Sequence, residues 1–310
     1  MTTHASSTPA GLEPTRDLPA LHHAIKDHYD GLIELYEDLW GEHIHHGYWA
    51  KGEPDPGRHA AQNRLADELV ALADIPRGAR VLDAGCGVGA SAIRLAQQLD
   101  CRVDAITLSA EQVRRGTEKA AEAGVGDQVT LRCMDAMKTE YEDGTFDVVW
   151  ALESCELMWD KKEFLQECKR VLKPGGRLVV ATWCARDESL KPAEVRLLHR
   201  IYRDFAVSHV LPLRRYEQLC AEVGLTGVTT ADWTSEVRDT WKLSTDIVKP
   251  VVRDPSYVWK LVRAKGVDVF RFLNSVPLMR QAYDRGVMRY GVFTATRPAD
   301  DTVASRKDLA

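Results

Sequence analysis

Three glycines at alternate positions separate a short apolar strand from an amphipathic helix. The strand ends in Val81 and Leu82, and the glycines stand at positions 85, 87 and 89. Apolar residues at helical spacing follow the loop: Ile93, Leu95, Ala96 and Leu99. A loop without Cβ atoms turns sharply and lets a ligand approach the backbone closely. This unit predicts a parallel α/β sheet that binds a ligand at the carboxyl end of its first strand.

The chemistry of this loop argues against a nicotinamide dinucleotide. That fingerprint needs G-x-G-x-x-G and an acidic residue about twenty positions later, whereas this loop is G-x-G-x-G and position 105 is alanine. The carboxylate of Asp83 stands just before the glycines, where it repels a pyrophosphate but attracts an ammonium group. S-adenosylmethionine is a nucleotide-like ligand with a zwitterionic end. We therefore predict an S-adenosylmethionine site rather than an ordinary tight turn.

The composition restricts the class of protein and its partners. The 310 residues, 45% of them hydrophobic, suit one or two globular domains with a substantial core. A net charge of −5, with both signs spread along the chain, gives no reason to expect nucleic acid as a partner. The seven isolated cysteines favour reduced thiols in a cytoplasmic protein. No integral membrane segment is expected, and a homo-oligomer is left open.

Strand and helix patterns alternate along the chain, as a doubly wound parallel sheet requires. We predict an α/β, Rossmann-like fold with a seven-stranded sheet, a helical N-terminal lid and helical insertions near the late strands. The insertions would form a lid over a hydrophobic acceptor at the carboxyl edge of the sheet. The predicted boundaries are a disordered tail at 1–18, the lid at 19–58, an S-adenosylmethionine-binding core at 59–185, acceptor-binding insertions with the closing strands at 186–297, and a tail at 298–310.

A histidine-rich segment follows the helical pattern that begins near Ala20. Histidines at 43, 45 and 46 raise the alternative of a metal site, but spacings of two and one are not helical ligand spacings. The other interpretation is a polar, aromatic segment that folds over the cofactor, with Tyr48 facing the sulfonium cation. We favour the second interpretation and predict no metal.

Polar residues also follow the second and third strands. Ser109 and Gln112 have the spacing of a capping box, so Gln112 is a cap partner, a ligand of ribose or adenine, or both. Asp135 follows the third strand, where it either accepts the exocyclic amine of adenine or forms a surface turn. Ligands of such sheets bind at the carboxyl ends of the strands, which favours the binding roles.

Taken together, these motifs resemble the class I methyltransferases, and among them the γ-tocopherol-methyltransferase-like group with its plant alkaloid and bacterial natural-product enzymes. The glycine loop carries only the resemblance to methyltransferases; H-H-G-Y-W and the late Y-x-x-G-x-x-x-x-G narrow it to the group. The matching stretches are 39–49 (LWGEHIHHGYW), 81–89 (VLDAGCGVG), 106–112 (ITLSAEQ), 146–158 (FDVVWALESCELM), 171–176 (VLKPGG), 181–184 (ATWC) and 283–293 (YDRGVMRYGVF).

The resemblance implies a cofactor role for each matching position. The methionine end would be lined by Asp83, Gly85 and Gly87, with Glu153 facing the methionine moiety and Tyr48 over the sulfonium. Thr107 and Gln112 would serve the ribose, and Asp135 and Ala136 the adenine.

One position departs from the group's pattern. The group often has Glu-His-Met where this chain has Glu156, Leu157 and Met158, so the histidine usually suspected as general base is missing. Because general-base help is worth about 10²–10⁴-fold, an N–H or O–H acceptor would feel this loss most. A carbon acceptor needs instead a dry aromatic pocket and a weak base. Glu156 is the candidate base, and His45 or His46 is the substitute if the histidine segment folds inward.

The acceptor pocket is expected to be lined by Met158, Trp159, Trp183, Tyr202 and Phe205. Core packing is the alternative role for the apolar positions of 186–211. We predict an S-adenosylmethionine-dependent methyltransferase of a small hydrophobic secondary metabolite, with C-methylation of an isoprenoid or prenylated aromatic acceptor and, as a speculation, cyclisation. The alternatives are N- or O-methylation of an alkaloid or other natural product, and a non-catalytic S-adenosylmethionine-binding protein. A diphosphate acceptor with a divalent metal is not favoured, because no acidic pair has the spacing for one.

Overall fold

A computed structural model describes residues 18–41, 43–265 and 267–299 of the chain. The predicted tails lie outside these ranges, apart from Leu18 and residues 298–299. The N-terminal part consists of helix α1 (Leu18–Trp40) and helix α2 (Arg58–Ala73), joined by an irregular segment. The helix predicted to begin near Ala20 is α1, and residues 43–49, which we call the histidine segment, follow it without regular structure.

Seven strands form one sheet in the order β3-β2-β1-β4-β5-β7-β6, which confirms the predicted doubly wound fold. The strands are β1 (Arg80–Ala84), β2 (Arg102–Thr107), β3 (Val129–Cys133), β4 (Phe146–Leu152), β5 (Leu172–Ala185), β6 (Thr226–Asp232) and β7 (Met288–Thr296). The first five are parallel, whereas β7 runs antiparallel to β5 and β6. Strand order reverses between β1 and β4, so a ligand crevice is expected at the carboxyl ends of these strands.

Helices cover both faces of the sheet, which explains why the central strands are almost entirely apolar. In β4, Trp150 and its neighbours Val149 and Ala151 are fully buried. The helices that connect the parallel strands are α3 (Ala90–Leu99), α4 (Ala110–Glu122) and α5 (Lys161–Val171).

The Lys173-Pro174-Gly175-Gly176 stretch lies inside strand β5 and does not form a separate turn between α5 and the strand. Strand β5 begins already at Leu172, and its pairing with β4 jumps from Phe146↔Leu172 to Val148↔Arg177. The extra residues form a bulge in which Gly175 adopts a φ of +79°. A bulge of this kind keeps the strand continuous while it absorbs residues that cannot pair.

Two helical insertions flank the last strands, as predicted. The first contains α6 (Pro192–Asp204) and α7 (Leu213–Glu222); the second contains α8 (Thr234–Val237), α9 (Asp239–Arg253), α10 (Pro255–Lys265) and α11 (Val267–Asp284). Helix α11 packs against both α6 and α9, and α1 contacts α9. The insertions and α1 therefore meet above the carboxyl edge of the sheet. In the described part of the chain, no helix has the length and apolarity needed to cross a bilayer.

Candidate active site

A cavity opens at the carboxyl ends of β1, β2 and β4, where the topology places the crevice. Its floor is the glycine loop, and its walls come from α1, the histidine segment and the insertions. Most of the residues predicted to bind cofactor line it: Asp83, Gly85, Gly87, Thr107, Gln112, Asp135, Ala136 and Glu153. Among the predicted acceptor and catalytic residues, the lining includes Met158, Trp183, Phe205, Glu156, His45 and His46.

Asp83 carries the clearest sign of a missing partner. It is 2% exposed, and its Oδ2 atom has no hydrogen-bond partner among the described residues. Burial raises the pKa of Asp83 to about 7. A buried carboxylate oxygen is costly unless it is paired, so a cationic ligand group is the partner this position lacks. The ammonium of a bound amino acid meets that need.

Gly85 cannot be replaced by a residue with a side chain. Its φ is +100°, and a Cβ atom built on it would lie 2.3 Å from the Cβ of Ser154. Ser154 is held there because its hydroxyl donates to the main-chain oxygen of Ala84 at 2.5 Å. The backbone after β1 is therefore bare and tightly supported, which suits close approach of a ligand.

Thr107 at the end of β2 and residues from the stretch that follows it line the cavity next to the glycine loop. The stretch from Thr107 to Gln112 forms a tight, hydrogen-bonded bend, the corner at Thr107. Ser109 caps α4 by accepting from the main-chain N–H of Gln112 at 3.0 Å. The Gln112 side chain does not complete the predicted capping box; its Oε1 atom accepts from the Thr107 hydroxyl at 2.5 Å. Because Gln112 supports the corner through its backbone and faces the cavity with its side chain, cap and ligand roles are compatible.

Asp135 forms the predicted turn, and its position is compatible with the predicted contact to adenine. Its Oδ1 atom accepts from the main-chain N–H of Met137 at 2.8 Å and so fixes the turn after β3. Its Oδ2 atom lies 3.7 Å from Nε2 of His22 on α1, and both side chains are 32% exposed. This oxygen remains accessible to a ligand donor, and Ala136 lines the cavity beside it.

Glu153, which follows β4, is a hydrogen-bonding hub rather than an open ligand contact. His46 donates to it twice, from the main-chain N–H at 2.8 Å and from Nδ1 at 2.9 Å. The Tyr290 hydroxyl adds a bond at 2.8 Å, and the Trp183 indole adds one at 3.2 Å. Burial alone would raise the pKa of Glu153, but its interactions with His46 lower the pKa to about 2.

The φ of Glu153 is +53°, which is uncommon for a residue other than glycine. Such backbone strain persists only where the surroundings hold it in place. The four hydrogen bonds supply that restraint and attach the histidine segment to the sheet.

His46 is fixed in one neutral tautomer by its neighbours. Its Nε2 atom accepts from the indole N–H of Trp241 at 2.6 Å, and an indole nitrogen only donates. The Tyr283 hydroxyl lies 3.2 Å from the same nitrogen. The ring hydrogen must therefore be on Nδ1, where it is donated to Glu153. Because its basic nitrogen is already occupied, His46 is not placed to accept a proton from a substrate.

Glu156 lies deeper in the wall and is also buried. Its Oε2 atom accepts from the Thr182 hydroxyl at 2.8 Å, and Lys161 donates to its main-chain oxygen at 3.2 Å. Burial, followed by the charge of Glu153, raises the pKa of Glu156 to about 8. The carboxyl group is therefore mostly protonated near pH 7 and becomes a base only at higher pH.

Aromatic rings enclose the side of the cavity that faces the insertions. Trp183 on β5, Phe205 after α6 and Trp241 on α9 meet edge to face, with centroid distances of 5.7–5.8 Å. Leu157 and Met158 complete this wall. The group forms an apolar compartment with π faces, which suits an apolar acceptor and a nearby cation.

The Methyltransferase domain family matches residues 81–176. The chain is also 35% identical over 296 residues to the Oryza sativa subsp. japonica protein named "Probable tocopherol O-methyltransferase, chloroplastic", covering 90% of this chain and 79% of that one. The chain belongs to the class I S-adenosylmethionine-dependent methyltransferases, in the tocopherol-methyltransferase-like group. The methyltransferase is 34% identical over 281 residues to the 2-methyl-6-phytyl-1,4-hydroquinone methyltransferase of Synechocystis sp., with 86% and 84% of the two chains covered. Its fold also matches the crystal structure of the cyclase SpnF, with a TM-score of 0.79 at 25% identity over 95% of this chain and 100% of that one.

The cofactor of this methyltransferase is S-adenosylmethionine, and the cavity suits it. The Oδ2 atom of Asp83 suits the ammonium group, and the backbone at Gly85 leaves room for the methionine end. After β3, Asp135 offers a hydrogen-bond acceptor at the other end of the cavity. When bound, the cofactor supplies a methyl group on a sulfonium, which is already activated for displacement.

Three predicted site residues lie outside the cavity wall. The ring of Tyr48 packs on Trp233 at 5.3 Å and under the guanidinium of Arg64 at 5.6 Å, because the chain turns outward after His46. Trp159 packs with the apolar cluster of α1 around Leu21 instead. The predicted roles of Tyr48 over the sulfonium and of Trp159 in the lining are corrected accordingly.

Tyr202 is the third. It is fully buried in the core, and its hydroxyl accepts from the main-chain N–H of Val210 at 3.3 Å. The helical periodicity of 186–211 does not tell which apolar residues face the cavity, which is why the assignment of Tyr202 to the pocket is wrong. The sequence analysis also missed Trp241, which lies in a later helical pattern. The one hint in the sequence was that Trp241 is a large aromatic residue in the first turn of the helical pattern that became α9.

Proposed function

We propose that this methyltransferase transfers the methyl group to a carbon atom of an isoprenoid or prenylated aromatic acceptor. The observation that carries the proposal is the aromatic compartment of Trp183, Phe205 and Trp241, which lines the same cavity as the predicted cofactor residues. The face of a tryptophan ring stabilises a cation at close range, and an alkene or an electron-rich ring becomes cationic as its carbon takes the methyl group. Leu157 keeps this compartment apolar where the group often has histidine.

The residues of this chain would act mainly by orientation and by excluding water. Asp83 would hold the ammonium of the cofactor, and Thr107, Gln112 and Asp135 would hold its adenosine part. The aromatic wall would position the acceptor for in-line displacement, which is worth many powers of ten when the geometry is fixed. Glu156 would be the base for the final proton at pH values above its pKa of about 8.

The relatives support the acceptor class by their names. One is named for tocopherol and the other for a phytyl hydroquinone. The test is incubation with methyl-¹³C S-adenosylmethionine and a panel of prenylated hydroquinones and isoprenoid alkenes, followed by NMR of the products. Label on carbon is the expected result, whereas label only on oxygen or nitrogen would refute C-methylation.

O- or N-methylation is the second candidate function, favoured by the O-methyltransferase name of the rice relative. The Leu157→His variant separates the two candidates, with Leu157→Gln as a polar control that lacks a titratable ring. If carbon is the acceptor, the histidine gains nothing over glutamine. A gain of tenfold or more from histidine alone, of the order that general-base help supplies, would favour an O–H or N–H acceptor.

Because methylation of an alkene leaves a carbocation, we extend the proposal to ring closure after methyl transfer. It is tested by whether ring-containing products appear only when the methyl group has been transferred. A cytoplasmic location likewise remains a proposal from the isolated cysteines, all seven of which are free thiols.

A further inference from the structure

His43 and His45 lie side by side in the cavity wall, and their neighbours determine which nitrogens carry hydrogen. His45 Nδ1 is 2.8 Å from the main-chain oxygen of His46, which only accepts, so this nitrogen is protonated. His43 Nε2 is 3.0 Å from Oδ1 of Asn63. Arg94 donates to that same oxygen at 3.1 Å, which fixes the orientation of the amide. His43 Nε2 therefore carries hydrogen as well.

The two inner nitrogens, His45 Nε2 and His43 Nδ1, are 3.2 Å apart. With both outer nitrogens protonated, two neutral rings direct two lone pairs at each other across this gap. One added proton converts the contact into an N–H···N hydrogen bond, and the pair then carries a single positive charge. The hydrogen-bonding pattern of the pair is complete only after it has accepted a proton.

The surroundings keep the pair neutral until a proton is delivered. Burial, followed by repulsion from His45, lowers the pKa of His43 to about 3, and burial also lowers the pKa of His45. The carboxylate of Glu153 acts in the opposite direction on His45. The charged and titratable groups that face the pair are His59 on α2, Arg94 on α3, His46 in the histidine segment and Glu153 after β4.

The other two candidate bases are less suited near neutral pH. His46 has its basic nitrogen occupied by the indole of Trp241. Glu156 is mostly protonated below about pH 8. Among the described residues of the cavity wall, His22 on α1 lies beside Asp135, whereas His43 and His45 form a pair of adjoining rings next to Glu153.

We propose that near neutral pH, where Glu156 is mostly protonated, the pair of His43 and His45 accepts the proton that the acceptor loses on methylation, and that Asn63 is the positioning residue that keeps the pair ready. The inference rests on the proposed methyl transfer. The acceptor's electron pair forms the new bond to the methyl carbon, and the electrons of the broken carbon–sulfur bond stay on sulfur. The acceptor's proton moves to the inner nitrogens of the pair, so the positive charge of the sulfonium ends on the two histidines.

The first experiment needs no acceptor. Long-range ¹H–¹⁵N NMR of the full chain, labelled at histidine and bound to S-adenosylhomocysteine, reports the tautomer of each ring. At pH 8 we expect hydrogen on Nδ1 of His45 and on Nε2 of His43. On acidification we expect both rings to change together in a step that takes up one proton. A pair that is already cationic at pH 8, or hydrogen on Nδ1 of His43, would overturn the proposal.

The second experiment places a charge beside the pair. In Asn63→Asp the carboxylate still accepts from His43 but raises the proton affinity of the pair, so the pair is blocked by protons at higher pH. With S-adenosylmethionine saturating at every pH, so that the titration of Asp83 does not set the limb, we expect the acid limb of kcat/KM for the acceptor, with 2-methyl-6-phytyl-1,4-hydroquinone as the probe, to move upward by at least about half a pH unit. The matched Asn274→Asp variant on α11 should leave it in place. An unmoved limb in Asn63→Asp would contradict the proposal.

The third experiment separates proton transfer from cofactor binding. His45→Asn should lower kcat by about 10²–10⁴-fold, while calorimetry should find its Kd for S-adenosylhomocysteine within about threefold of the wild type. A parallel loss of affinity would identify His45 as a cofactor ligand and sink the proposal. If the wild type methylates no acceptor, the proposed function fails, and the NMR measurement still decides the state of the pair.

Discussion

The cofactor side and the acceptor side of the cavity are built in different ways. The cofactor side consists of short contiguous stretches at strand ends. Local hydrogen bonds fix the corner at Thr107 and the turn at Asp135, and the backbone of β1 and β2 with Ser154 supports the glycine loop. The acceptor side brings together single residues from β5, the end of α6, α9 and the histidine segment. A local site is determined by backbone geometry, whereas an assembled site depends on the packing of elements far apart in the chain. Substitutions on the cofactor side should therefore change the affinity for the cofactor, and substitutions on the acceptor side should change the KM for the acceptor.

The largest effect is expected on the cofactor side, from Asp83→Asn. The amide removes the charge that pairs with the ammonium, and loss of one partner of a buried pair costs about 3 kcal/mol or more. We expect the affinity for S-adenosylhomocysteine, measured by calorimetry, to fall at least about 100-fold. The control is Asp147→Asn at the opposite edge of the sheet, where the side chain pairs with Lys173. Equal losses in both variants would show that the loss of affinity does not come from the charge beside the glycine loop.

Glu153→Gln tests the hub that joins the two sides. A neutral amide cannot accept all four hydrogen bonds, so we expect the free energy of unfolding to fall by about 2–4 kcal/mol in denaturant titrations. The folded-state pKa of Glu153, about 2, lies below its usual 4.5. Its stabilising contribution is therefore present above about pH 4.5 and is lost as the pH falls toward 2. Exposed Glu140→Gln should change neither quantity, and an unchanged Glu153→Gln would refute the hub.

The contrast also explains what the sequence can predict. The doubly wound fold and the three strand-end stretches were predictable, because glycine spacing, alternating strand and helix patterns and the carboxyl-end rule are local signals. Even the correction at Gln112 is small. Its main-chain N–H donates to the cap residue Ser109 as expected, while its side chain accepts from Thr107 instead of returning to the backbone of Ser109.

The acceptor side carried no comparable signal. The sequence predicts Tyr48, Trp159 and Tyr202 as site residues because they are aromatic and near the right elements, but each packs elsewhere. The tautomer of His46 depends on Trp241, which is 195 residues away in the chain. Contacts at such separation follow from how α9 and α11 pack, and a periodic pattern in one helix does not encode that arrangement.

A pH titration sharpens the role assigned to Asp83. Because its pKa is about 7 without a ligand, a cation must displace a proton to bind below that pH. The affinity for S-adenosylhomocysteine should therefore weaken by up to about tenfold for each pH unit below 7 and stay level above it. Asp83→Asn has no proton to displace and should lose this slope. A slope that survives in the variant would assign the titration to another group.

Phe205→Leu is a milder test of the acceptor side. Leucine keeps the site apolar but removes the ring that meets Trp183 and Trp241, at a cost of about 1 kcal/mol. We expect the KM for the acceptor to rise by about fivefold, while the affinity for S-adenosylhomocysteine stays unchanged. A matched loss of cofactor affinity would mean that the two sides are not independent.

The smallest effect is expected from Tyr48→Phe. Since the ring of Tyr48 packs outward on Trp233 and Arg64, removal of its hydroxyl should change kcat and cofactor affinity by less than about twofold. Tyr290→Phe is the matched comparison, because its hydroxyl donates to Glu153 at 2.8 Å. Loss of that bond to a buried carboxylate should lower the free energy of unfolding by about 1–3 kcal/mol. A large loss of activity in Tyr48→Phe would restore the tyrosine to the sulfonium site and would require the histidine segment to fold differently when the cofactor is bound.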